Sequence, residues 1–394
     1  MRLLKSLLLL LAVTLAAGTA RGEGADDPLT GLTLEQKVGQ LFLINVVGRE
    51  APVQASRKVL EQIPVGAIIL FSYNLRGEPA QVAKLTAQLQ EIARSTGAKV
   101  PYLISVDQEG GRVQRLKKGF TRIPAPRVLG RLSSARLEAL AGAVARQMLA
   151  VGVNMNLAPV VEASAGEADV IGDRSFGGSA ARAARSAAAF ISGTQAAGVL
   201  ATAKHFPGNA GSEVDPHKAM PRMDLTADQV RTRMLPPFKA AVEAGVDAVM
   251  LSHAEIPALD DEHPVALSTS VVGGLLRKEL GFSGLACSDD LLMGAVTEKF
   301  PPAEAAILAV AAGTDLLMVS NPAEVPALHR AVVQAAKSGR LTVAQVDAAA
   351  RRILEIKRKR GLWASADRLR RGESLGDLAA ACQEAERLLR RQKP

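Results

Sequence analysis

Cysteine is scarce in this chain of 394 residues: two thiols, Cys287 and Cys382, cannot build a disulfide scaffold. One lies in an apolar run and the other on a predicted helix, and both read as free thiols. Aromatic residues make up only 3% of the sequence, which argues against the stacking platform of a single-strand nucleic-acid binder. There is no Gly-x-Ser-x-Gly elbow for a serine nucleophile, no His-x-x-x-His pair for a metal, and no Gly-rich phosphate loop. Internal repeats and long linkers are missing as well.

A formal net charge of +9 is present, but it is unevenly placed. From Arg351 to Pro394 there are thirteen basic and six acidic residues, and Arg2 and Lys5 carry the rest of the surplus. The middle of the chain is neutral, so the surplus is read as a solvated Arg-rich face and not as a nucleic-acid footprint. At the start, Met1 to Lys5 is basic, Ser6 to Leu15 is apolar, and Ala16 to Ala20 is small. That order predicts a secretory signal over residues 1–22, too short in its apolar part for a membrane span. The remainder is expected to form a domain over 30–363 and a basic helical tail over 364–394.

Eight short apolar segments follow: Leu41 to Val47, Ala67 to Phe71, Tyr102 to Val106, Asn154 to Val160, Leu200 to Ala203, Val246 to Leu251, Leu285 to Cys287 and Asp315 to Val319. They do not alternate, and Ala-, Leu- and Arg-rich helical patterns separate most of them. Such strands belong to a parallel sheet covered by helices. Eight units predict an α/β fold, a single (β/α)₈ TIM-type barrel with a C-terminal helical tail, and a doubly wound open sheet is the alternative. Thr33-x-x-Gln36, Thr226-x-x-Gln229 and Thr342-x-x-Gln345 have the form of capping boxes.

The strand ends carry the chemistry. Val106 runs into Asp107-Gln108-Glu109, Ala203 into Lys204-His205, Leu251 into Ser252-His253, and Cys287 into Ser288-Asp289-Asp290. In a barrel these ends converge on one face, where active sites of this architecture lie. Beyond the fifth strand, Asp215 and His217 are spaced so that a carboxylate can orient an imidazole for proton transfer. Adjacent Asp289 and Asp290 point in different directions, so one can face a pocket while the other is held elsewhere. With Asp107, Arg115, Lys204 and His205 available for hydroxyls, the set suggests sugar chemistry. Glycosidic cleavage commonly uses two carboxylates, and Asp215–His217 would stand for the second.

Six ordered segments are similar to the glycoside hydrolase family 3 β-N-acetylglucosaminidases: Glu35 to Gln40, Asp107 to Arg115, Gly172 to Phe176, Lys204 to Gly208, Asp215 to His217, and Ser288 to Met293. The resemblance covers residues 30–363 and implies a (β/α)₈-type barrel and a retaining double displacement. It makes Asp289 the nucleophile, His217 the general acid and base, and Asp215 its partner. Asp107, Arg115, Arg174, Lys204 and His205 would bind the sugar. Neither metal nor cofactor is expected. The substrate would be terminal β-linked N-acetylglucosamine in peptidoglycan-derived fragments, or muropeptides. With the signal, it implies a periplasmic or extracellular monomer, without nucleic acid and without a membrane span once the signal is removed. Asn209, Ala210 and Pro216 depart from the family pattern of the loop. A β-glucosidase-like or phosphorolytic member and a non-catalytic wall-glycan-binding protein are the alternatives.

Overall fold

The computed structural model describes residues 27–164, 166, 170–209, 211–212, 214, 219–370 and 375–390. The predicted signal therefore lies outside the described residues. Eight parallel strands follow in chain order: β1 Phe42–Asn45, β2 Ala67–Ile69, β3 Leu103–Val106, β4 Met155–Asn156, β5 Leu200–Phe206, β6 Ala248–Leu251, β7 Leu285–Ser288 and β8 Leu317–Val319. Each is hydrogen-bonded to the next, and β8 pairs back onto β1. A bridge between Cys287 and Leu316 closes the ring, with the Ser288 N–H donating to the Leu316 carbonyl at 2.8 Å. Every residue of these strands is buried, which is why their sequences are apolar without alternation. The architecture is the (β/α)₈ barrel.

The helices used below are α1 Leu34–Gln40, α2 Gln54–Gln62, α3 Pro79–Ser95, α4 Ser134–Ala150, α5 Ala180–Ala196, α6 Leu235–Glu243, α7 Ser270–Glu279, α8 Pro302–Ala312, α9 Val325–Lys337, α10 Val343–Lys359, α11 Leu362–Arg370 and α12 Leu378–Arg390. All three expected capping boxes form, at Thr33, Thr226 and Thr342. Gly313 ends α8 at φ 103°, a left-handed cap that turns the chain straight into β8.

Three local readings change. The fourth segment pairs regularly only over Met155–Asn156, because Pro159 has no N–H to donate to a ladder. Helix α2 was not expected; its polar sequence is organised by Val59 and Leu60, which are buried on one side. The stretch before α6, Val230–Met234, and the whole of α7 are wound as π-helix, which pattern alone does not distinguish from α.

The floor of the barrel, at the amino ends of the strands, contains buried charge. Asp315 is fully buried and takes Arg277 at 2.5 Å, Arg352 at 2.8 Å and the Ala286 N–H at 2.8 Å. Asp247 is paired with Arg360. Lys357 of α10 is fully buried too, and its Nζ donates to the Gln40 amide oxygen at 2.9 Å. Among the described residues no carboxylate accompanies it, and burial pushes the amine well below its usual range.

The tail lies along α4. Ala381 and Ala385 of α12 are buried, Leu375, Leu388 and Leu389 pack against the core, and Gln147 donates to the Ala381 carbonyl at 3.3 Å. Ala381, Ala385, Leu388 and Leu389 make the apolar face that α12 turns to the barrel. No described helix is long and apolar enough to cross a membrane.

Candidate active site

The opposite, carboxyl end of the barrel gathers the ionisable residues. Asp107 leaves β3, and a short hairpin, Gln108–Gly110 against Val113–Gln114, brings Glu109 inward and carries Arg115 beyond it. Gly110 has φ 104° and the Pro124 carbonyl in the space a Cβ would occupy, so the turn admits glycine. Arg174 stands on a single 3₁₀ turn, Gly172–Arg174, after β4.

Strand β5 runs further than the apolar pattern indicates and includes Lys204, His205 and Phe206. Its register against β6 shifts between Lys204, opposite Met250, and Phe206, opposite Leu251. In a regular strand consecutive side chains face opposite sides; an extra residue at His205 lets both it and Lys204 reach the mouth. The Lys204–His205 and Phe206–Pro207 peptides are cis.

These residues form one network. Lys204 Nζ lies 2.8 Å from both Asp107 Oδ1 and Glu109 Oε1. Arg174 holds Glu109 with two parallel hydrogen bonds of 2.8 Å, and Arg115 is 3.7 Å from Asp107. Burial would raise the Glu109 carboxyl, but Lys204 and Arg174 outweigh it and bring it to about 2. Burial works against the Lys204 ammonium, yet Asp107 and Glu109 lift it above its usual range.

Asp289 follows β7, with Oδ1 accepting the Asp290 N–H at 2.8 Å. Burial disfavours its charge, but His205, His253, the Asp290 N–H and Lys204 together hold the carboxyl below its ordinary value. Asp290 is occupied elsewhere: its Oδ1 accepts N–H groups from Leu292 at 3.2 Å and Ser320 at 3.0 Å. The expected division between the adjacent aspartates is what the chain adopts. His253 donates through Nε2 toward the Asp290 carbonyl at 3.1 Å, and its buried Nδ1 has no partner among the described residues. Behind Asp289, the buried Cys287 thiol is pushed up by burial and by the charge of Asp289, so it is inert.

Asp107, Arg115, Arg174, Lys204, His205 and Asp289 are thus placed at one mouth, while Asp215 and His217 lie outside the described residues. Glu109, Glu162 and His253 were given no role from sequence. Glu162 was legible by the rule applied to the other strands, since it is the first ionisable residue beyond β4. Among the described residues no group of three or more His, Cys, Asp or Glu is arranged to hold a metal ion.

Known proteins are similar to this chain over most of its length. A β-hexosaminidase of Pseudomonas aeruginosa (strain LESB58) is 37% identical over 283 residues, covering 71% of this chain and 82% of that protein. A solved glycoside hydrolase family 3 β-N-acetylglucosaminidase from Paenibacillus sp. str. FPU-7 superposes with a TM-score of 0.80 at 40% identity, over 84% of this chain and 63% of that one. The chain therefore spans less than two thirds of that larger protein. The β-N-acetylhexosaminidase from Beutenbergia cavernae DSM 12333 gives a TM-score of 0.75 at 34% identity, over 83% of this chain and 98% of that one. Residues 33–356 match the N-terminal domain of glycosyl hydrolase family 3, and the chain belongs to that family of glycosidases.

Proposed function

We propose that the chain is an exported retaining glycosidase that removes terminal β-linked N-acetylglucosamine from wall-derived fragments through a covalent glycosyl–Asp289 intermediate. The observation that carries this reading is an ionised Asp289 at the same mouth as the Lys204–Asp107–Glu109–Arg174 network. Asp107, Lys204, His205, Arg115 and Arg174 would grip the sugar hydroxyls, with Glu109 holding Lys204 and Arg174 at their spacing. In the first step an Asp289 oxygen attacks the anomeric carbon, and the bond to the leaving oxygen breaks as His217 supplies its proton. In the second, His217 takes a proton from water, the hydroxide oxygen attacks the same carbon, and Asp289 is released. Asp215 would orient His217 through this exchange. The N-acetyl preference follows the names of the relatives, and export follows the basic and apolar start of the sequence.

The test is release of 4-nitrophenol from the N-acetyl-β-glucosaminide and from the β-glucoside. Wild type is expected to prefer the first, and Asp289→Ala to lose at least about 10³-fold in kcat, the scale of removing a nucleophile. His217→Ala should be hurt less on this activated leaving group than on a disaccharide. Failure of wild type to turn over either substrate overturns the proposal.

A further inference from the structure

The buried carboxylate that the mechanism above leaves unused is Glu162. It leaves β4 directly beneath the exit of β5, because Val160 bridges Lys204 and the Val161 N–H donates to the Lys204 carbonyl at 3.0 Å. Its side chain is 1% exposed. Oε1 accepts the His205 backbone N–H at 2.9 Å and faces His205 Nδ1 at 2.9 Å, and Oε2 accepts the Asn209 N–H. One anion therefore fastens two points of the chain that follows β5. Gly208, at φ 143°, makes the turn between them, and a Cβ there would come within 3.5 Å of Oε2.

The backbone of Glu162 is itself fixed. Ser175 Oγ donates to its carbonyl at 2.6 Å, and Ser175 directly follows Arg174. Glu162 thus joins the turn that carries Arg174 to the strand end that carries His205.

We infer that Glu162 is a positioning residue for the glycosidase reaction, acting through His205. A carboxylate can only accept hydrogen bonds, so it makes Nδ1 the donor and fixes the ring plane. The remaining nitrogen, Nε2, is then the one free to serve the sugar and Asp289, to which His205 is close enough to help hold the negative charge. An amide at this position cannot do the same. Its oxygen can accept from His205, but its NH₂ then faces the Asn209 N–H, donor against donor. This rests on the reading of Asp289 and His205 proposed above.

The experiment is a double-mutant cycle on kcat/KM for the 4-nitrophenyl N-acetyl-β-glucosaminide, using Glu162→Gln, His205→Ala and the pair. Glu162→Gln is expected to lose roughly 10- to 100-fold, the worth of charged hydrogen bonds at a buried site, and the pair to be no worse than His205→Ala alone. A parallel cycle with Arg115→Ala, which Glu162 does not touch, should be additive. A structural defect would add to both. Glu162→Asp keeps the charge but is one methylene shorter; it should recover part of the activity and serves if the glutamine variant fails to fold. Losses that multiply in the His205 cycle, or Glu162→Gln within twofold of wild type, overturn the inference. Absence of turnover in wild type overturns instead the reading on which it rests.

Discussion

Lys204 and Lys357 are both nearly closed to water, at 2% and 0% exposure, yet the protein moves their basicity in opposite directions. Lys204, at the mouth, has two carboxylates at 2.8 Å and is raised. Lys357, at the floor, has one neutral amide and is lowered. Burial is common to both, so partners decide the sign. Both ends of the barrel carry buried carboxylates paired with arginine. At the floor, Asp315 and Asp247 are matched to arginines that also bond backbone carbonyls, Arg277 to Phe282 and Gly284 and Arg360 to Gln195. At the mouth, His253 Nδ1 and Arg115 Nε are buried and without partners among the described residues, as Asp247 Oδ1 and Arg360 Nε are at the floor.

Replacing Lys204 by Met should have the largest effect. It removes the ammonium between Asp107 and Glu109 and leaves Arg174 alone on Glu109 and Arg115 at 3.7 Å from Asp107, which costs about 3–5 kcal/mol on the scale of a broken buried pair. Both urea melts and turnover should register it; a variant that lost activity alone would break the contrast. Arg360→Met should cost on the order of 3 kcal/mol by the same argument at Asp247, with kcat/KM on the nitrophenyl substrate unchanged.

Glu109 sharpens the contrast through pH. Its folded carboxyl, at about 2, lies below the ordinary 4.5, so its stabilisation is fully present above pH 4.5 and is lost as pH falls through about 2. Against Glu109→Gln, wild type should lead by on the order of 3 kcal/mol near neutrality, and the gap should close in melts taken at falling pH. The smallest change should come from Lys357→Met, within about 1 kcal/mol at neutral pH, since an apolar isostere replaces a poorly served amine. The sign of its pH dependence is the sharper readout. The folded amine binds a proton less tightly than the unfolded one, whose value is near 10.5. Relative to the variant, wild type should therefore gain stability as pH rises toward 10.5.

Much of this was legible in the sequence for a physical reason. Strands buried on both faces must be apolar throughout, so Ala67–Ile69 and Leu285–Ser288 announce themselves, and the polar residue that ends each run marks the mouth. What was hidden depends on register. Nothing in Lys204-His205-Phe206 signals that the strand continues through its charged residues or shifts against β6, and without that shift only one of the pair faces inward. Glu109 and Glu162 were hidden differently. Each serves neighbours that are 95 and 43 residues away along the chain or, for Arg174, 65 away, and only folding brings those together.

The charged residues of the mouth arrive on separate strand-to-helix connections: Asp107, Glu109 and Arg115 after β3, Glu162 and Arg174 after β4, Lys204 and His205 at the end of β5, His253 after β6, and Asp289 after β7. The connections after β1, β2 and β8 contribute none of these. Three connections around the same opening carry none of these groups, so a change in their length or sequence alters the rim without displacing the network.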